Sequence, residues 1–97
     1  HESKVTIDDL NKIRIYHTKI DKAISTKLLN VCKNKNISVN KLASISYLTQ
    51  SAVENLVNCN SKNPKLLTIV RNSDGVNLTL TEFFDDDIFL EIDREDL

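Results

Sequence analysis

Gln50, Ser51, Glu54 and Asn55 share one face if residues 50–58 form a helix, because 50 stacks under 54 and 51 under 55 on a 3.6-residue turn. Side chains of that length and polarity reach base edges in a DNA major groove, and Ala52 beside them offers a methyl to a thymine methyl. Glu54 has the wrong sign for such a surface. It reads as one half of a local salt bridge or as a group that excludes wrong bases.

The other reactive residue types suggest less. His17 has no nucleophile or acid-base partner near it in sequence and reads as a surface residue. Cys32 and Cys59 stand 27 positions apart with neither a CxxC spacing nor a nearby His, so no zinc site or disulfide framework is signalled. They read as inert thiols, with redox sensing a minor alternative. Asp85, Asp86 and Asp87 are a conceivable divalent-ion cluster, but the calcium-loop pattern with its Gly is missing and a solvated acidic tail is the better reading. A single Gly builds neither the dinucleotide fingerprint nor the P-loop, and no residue set signals catalysis, a metal or a cofactor. The expectation is a protein that is not an enzyme.

What must hold the polar face in place is a set of short helices. Ile20, Ile24, Leu28, Val31 and Cys32 recur at helical spacing and predict a first helix from Ile20 to about Lys35. After the polar break Asn34 to Asn36, Ser38 is an N-cap for a second helix over Val39 to Ser46, with Leu42, Ala43 and Ile45 inward. Ser46, Tyr47 and Leu48 form the turn. Thr49 caps a third helix over Gln50 to Asn58, whose inner face is Ala52, Val53, Leu56 and Val57. The polar run 58–63 ends at Pro64, suited to the first turn of a fourth helix that carries Leu66, Ile69 and Val70 inward to about Val76, with Asn77 left-handed at its end. Thr79-Leu80-Thr81-Glu82 matches a capping box and starts a fifth helix that buries Leu80, Phe83 and Phe84. Two helices joined by a three-residue turn outline a helix-turn-helix, and Ala43 supplies the small side chain that their close crossing needs.

Ninety-seven residues with 40% apolar and 28% charged content suit one domain, and one Gly with one Pro argues for all-α architecture. Residues 1–19 form an N-terminal arm or extra helix, where Thr6 with Asp9 allows a helix and 12–16 alternate like a strand. Residues 20–84 are the helical domain and 85–97 an acidic tail whose Ile88, Phe89, Leu90 and Ile92 either extend the fifth helix or meet a partner. The net charge of -1 hides an asymmetry: the tail carries seven acids against Arg94, for -6, and residues 1–84 carry +5. Leu29 and Cys32 widen the apolar stripe of the first helix, which suggests a cover supplied by residues 5–16 or by the tail of a second subunit. No apolar run is long enough for a membrane span and no signal-peptide pattern is present, so a reducing, cytoplasmic setting is expected. Without Met, the start at His1 reads as a processed end, and His1 is set aside.

Residues 24–84 resemble the lambda-repressor/Cro-like helix-turn-helix regulators, the XRE family. The resemblance lies in Ile24-x3-Leu28-x2-Val31, Ile37-Ser38-x3-Leu42-Ala43, Leu48-Thr49-Gln50-Ser51-x-Val53, Asn63-Pro64 and Leu80-Thr81-Glu82-Phe83-Phe84, in order and without a gap. It implies a five-helix bundle with the third helix in the major groove, acting without cofactor as a homodimeric repressor of bacterial or phage type on a double-stranded operator. By position, Gln50, Ser51, Ala52 and Asn55 would read bases. Ser38, Asn40, Thr49, Asn58, Asn60, Lys62 and Lys65 would hold phosphates. The chain departs from the family at Val39, where a phosphate-touching Gln is frequent, at Tyr47 and Cys59, where Gly is usual, and at Asn72, where an apolar residue is usual. The alternative is a protein-interaction regulator, antitoxin-like or anti-repressor, that uses the arm and the acidic tail.

Overall fold

The computed structural model describes residues 19–92. Apart from Lys19, the expected N-terminal arm lies outside the described residues, as do His17 and positions 93–97 of the tail. The described chain is all-helical, with α1 Ile20–Lys35, α2 Val39–Ile45, α3 Gln50–Val57, α4 Leu66–Gly75 and α5 Leu80–Phe84, followed by a 3-10 turn, Asp87–Glu91. Ser46, Asn58 and Val76, expected as last helical residues, are instead the C-caps of α2, α3 and α4.

Local chemistry explains the starts and stops. The Ser38 hydroxyl accepts the Lys41 amide at 3.0 Å and the Thr49 hydroxyl accepts the Ala52 amide at 3.1 Å. The capping box forms in both directions, Glu82 N to Thr79 Oγ1 at 3.0 Å and Thr79 N to Glu82 Oε1 at 2.8 Å. α1 to α4 all end alike. Asn36, Tyr47, Cys59 and Asn77 are left-handed, with φ of 57, 56, 59 and 61°, and none is Gly. After each, the next amide reaches back five residues: Ile37 to Cys32, Leu48 to Ala43, Asn60 to Asn55 and Leu78 to Ser73, at 2.9 to 3.0 Å. This is the Schellman bond, which satisfies carbonyls orphaned at a helix end. In three of the four cases the returning residue is apolar, and Ile37, Leu48 and Leu78 all pack on the core.

The core centres on Leu28, Leu42, Val53 and Phe83, joined by Ile24, Val31, Leu56, Ile69 and Val76. α3 packs against both α1 and α2, α2 against α4, and α4 against α5. Ala43 is buried, as the close crossing requires, and Leu48 is half-buried. A contact absent from the periodicity ties α3 down, with Ser25 Oγ donating to the Val57 carbonyl at 2.6 Å. The one glycine has a different use from a turn. A Cβ on Gly75 would stand 2.7 Å from Ser46 Oγ and 3.1 Å from the Ile45 carbonyl oxygen, so its missing side chain lets the end of α4 meet the end of α2.

Four expectations need correction. Pro64 is not in the first turn of α4, because Lys65 is extended (φ -71°, ψ 131°) and the helix begins at Leu66. Leu66 does not point inward: α4 buries Ile69, Asn72 and Ser73, and its first turn runs past that contact with Leu66 57% exposed. Val70, Leu80 and Phe84 are only partly buried. The acidic tail is not simply solvated and does not extend α5. Asp85 breaks the helix (φ -83°, ψ 73°), and Asp86 caps the 3-10 turn by accepting the Ile88 amide at 3.1 Å. Phe89 then lies against Phe83 and Phe84, with ring centroids 5.9 and 4.9 Å away. The turn packs on α1 of its own chain, while Leu29 stays 45% exposed.

Candidate nucleic-acid interface

The outer face of α3 is free. Val53 and Leu56 turn into the core, so Gln50, Ser51, Glu54 and Asn55 face solvent, with Ala52 half-buried at the margin. Thr49, at the N-cap, is exposed, and its hydroxyl accepts the Ala52 amide while keeping its own hydrogen to donate. Ser38 caps α2 in the same way, and Asn40 is exposed in that helix's first turn.

Two hydrogen bonds organise this face. Gln50 Nε2 donates to Glu54 Oε2 at 3.0 Å, one helical turn along. Asn60 Nδ2 lies 3.4 Å from Asn55 Oδ1, a long contact that brings the loop after α3 beside the helix. Asn58, the C-cap, is exposed, as is Asn60. The left-handed Cys59 between them turns its thiol inward, 3.8 Å from the Asp21 carbonyl. Lys62 and Asn63 line a groove of about 380 Å³ with Lys19, Ile20 and Asp21, which puts Lys62 at the start of α1. Lys65 is exposed at the N-cap of α4.

The charges divide by segment. α3 carries a single charge, Glu54, whereas Lys41, Lys62 and Lys65 on the neighbouring segments are exposed cations. The helix therefore offers hydrogen bonds and the segments before and after it offer positive charge, a division of the kind that separates base-edge from phosphate contacts. Glu54 thus pairs locally with the neutral Gln50 rather than through the expected salt bridge, and the i, i+4 spacing of the two residues is the sequence signal for that pairing. Ser25, which holds the last turn of α3, gave no signal at all, since a Ser within an apolar stripe names no partner.

Burial pushes the Cys32 thiol above its ordinary range, the direction of an inert thiol. Among the described residues no three His, Cys, Asp or Glu side chains come together as metal ligands, and no helix is long and apolar enough to cross a membrane. No known protein family, curated protein or solved structure matches the chain.

Proposed function

We propose that the chain is a sequence-specific double-stranded DNA-binding transcriptional regulator of the lambda-repressor/Cro-like kind, reading the major groove with α3. One observation carries the reading: α3 is anchored by Val53, Leu56 and the Ser25 hydroxyl while Gln50, Ser51, Glu54 and Asn55 project outward from it. A polar helix face held by a buried opposite face, with exposed Lys41, Lys62 and Lys65 on the segments before and after it, meets the physical needs of groove recognition. The same reading makes it a cytoplasmic homodimeric repressor without cofactor, on two half-sites about 34 Å apart.

Footprinting on the DNA that flanks its own coding sequence tests this. Protection of a palindromic site at low salt is expected, and failure to select any sequence there overturns the reading.

A second reading keeps one observation of its own. Leu90, in the 3-10 turn, is 73% exposed and gives the tail an apolar contact point for a protein partner. Leu90→Asp would then abolish partner binding and leave DNA binding intact.

A further inference from the structure

Glu54 is an anomaly on a surface meant for DNA. It is the only charge on α3, it is negative, and it stands among the exposed side chains that face outward. Its Oε2 accepts a hydrogen bond from Gln50 Nε2 at 3.0 Å.

A carboxylate accepts only, so the end of the Gln50 amide beside it has to be the nitrogen. The pairing fixes which way round the amide lies. Nε2 carries two hydrogens, and only one is spent on Glu54. The other hydrogen and the carbonyl Oε1 remain, which is the donor-plus-acceptor pair that matches adenine N7 and N6. An unpaired Gln rotates its amide freely and presents either order. Glu54 Oε1 also remains, and it favours base edges that carry an exocyclic amino group while repelling the acceptor-only edge of guanine and the O4 of thymine.

Resting on the DNA-reading assignment above, we infer that Glu54 is the specificity-determining residue of α3. It locks the Gln50 amide in the adenine-reading order and selects, at the neighbouring base pair, a cytosine or adenine amino group against guanine and thymine. It gives up affinity in exchange, because its charge opposes every phosphate nearby.

Selection from a randomised duplex library, using the full chain and its Glu54→Gln and Glu54→Asp variants, tests this. The wild type should enrich an adenine beside a base with an exocyclic amino group. Glu54→Gln removes the negative charge and should flatten the neighbouring preference by roughly tenfold, the scale of one good base contact, while binding to unrelated DNA tightens. Glu54→Asp keeps the charge but is too short to hold Gln50, so it should relax the adenine preference without that tightening. If the wild type enriches a sequence and Glu54→Gln enriches the same one with the same stringency, this inference falls and the DNA-reading assignment stands. If the wild type enriches nothing, the DNA-reading assignment falls and takes this inference with it.

Discussion

Lys27 Nζ lies 3.0 Å from Asp86 Oδ2, bridging the middle of α1 to the cap of the 3-10 turn, 59 positions away. Asp86 thereby does two jobs, since its other oxygen accepts the Ile88 amide. Both hold its carboxyl below the ordinary Asp range, the Ile88 hydrogen bond first and Lys27 after it.

A carboxyl lowered in this way stabilises the fold above its unfolded value, and that contribution disappears as pH falls through the lower folded value. Stability should therefore decline on the acid side below about 3.8, the ordinary Asp value. Asp86→Asn keeps a capping side chain and should lose only this acid dependence and the ion pair, which at a partly exposed site is worth about 0.2–1 kcal/mol. Asp86→Ala loses the cap as well and should cost about 1 kcal/mol more. Denaturant titrations at pH 3 and 7 check both. Glu82 is lowered too, chiefly by the Thr79 backbone and then by its hydroxyl, so some acid dependence survives in Asp86→Asn and should shrink further with Glu82→Gln added.

Gly75→Ala should destabilise, although in an open helix the change is favourable by about 0.5–1 kcal/mol. Here the new methyl meets Ser46 Oγ at 2.7 Å and the Ile45 carbonyl oxygen at 3.1 Å, and overpacking of that kind costs about 1–3 kcal/mol. Ser46→Gly removes the nearer obstacle. The double variant should recover part of the loss in thermal melts, and the part not recovered measures the backbone contact at Ile45. Additive losses would mean that the two helix ends do not meet as described.

Asn72→Leu should raise stability. Asn72 is fully buried, and neither its Nδ2 nor its Oδ1 has a hydrogen-bond partner. An amide buried without partners costs about 1–3 kcal/mol, whereas a leucine, with the same branched outline but bulkier methyls, needs no partners and adds apolar burial beside Ile69 and Val76. A melting temperature several degrees higher is the expected readout. A lower one would show that the amide serves the fold.

Tyr47→Gly isolates the cost of a side chain in left-handed backbone. Tyr47 has φ 56° and is 89% exposed, so its ring contributes almost no burial to lose. Relief of the left-handed strain, about 1–2 kcal/mol per residue, is opposed by the greater unfolded-state freedom of Gly, about 0.5–1 kcal/mol. A net gain of a few tenths to about 1 kcal/mol should appear in chemical denaturation. The same substitution at Cys59 should gain less, since its thiol turns inward against the Asp21 carbonyl.

These positions also mark what the chain discloses in advance. The caps at Ser38, Thr49 and Thr79 were legible because a side chain bonds an amide two or three residues on, a fact of local spacing. The stripe of α1 and the inward Val53 and Leu56 were legible by period. The polar face of α3 followed as the complement of that buried face. Illegible were the contacts between distant segments: Ser25 on Val57, Lys27 on Asp86, and the Gly75 gap filled by Ser46. The turn 87–91 failed for another reason. Ile88, Phe89, Leu90 and Ile92 fit a helix as well as a short packed turn, and only the aromatic contact with Phe83 and Phe84 decides between them. At the candidate interface, exposure of Lys62 was expected, but its place beside the start of α1 was not.

That placement separates two kinds of contact. Gln50 stands on α3, where a lost bidentate base contact should cost about 1–3 kcal/mol on the preferred site and little on unrelated DNA. Lys62 lies off the helix at the α1 groove, where it meets the backbone or nothing. Gln50→Ala should therefore shrink the ratio of specific to non-specific affinity with an unchanged salt slope. Lys62→Ala should weaken all sequences together and reduce the slope of log K against log salt by about one unit, the signature of one phosphate contact. Titrations of both variants at several salt concentrations, on a selected site and on a scrambled duplex, distinguish them. A Lys62→Ala slope equal to that of the wild type would place the α1 groove outside the contact surface and confine phosphate binding to the start of α2 and the α3 flanks.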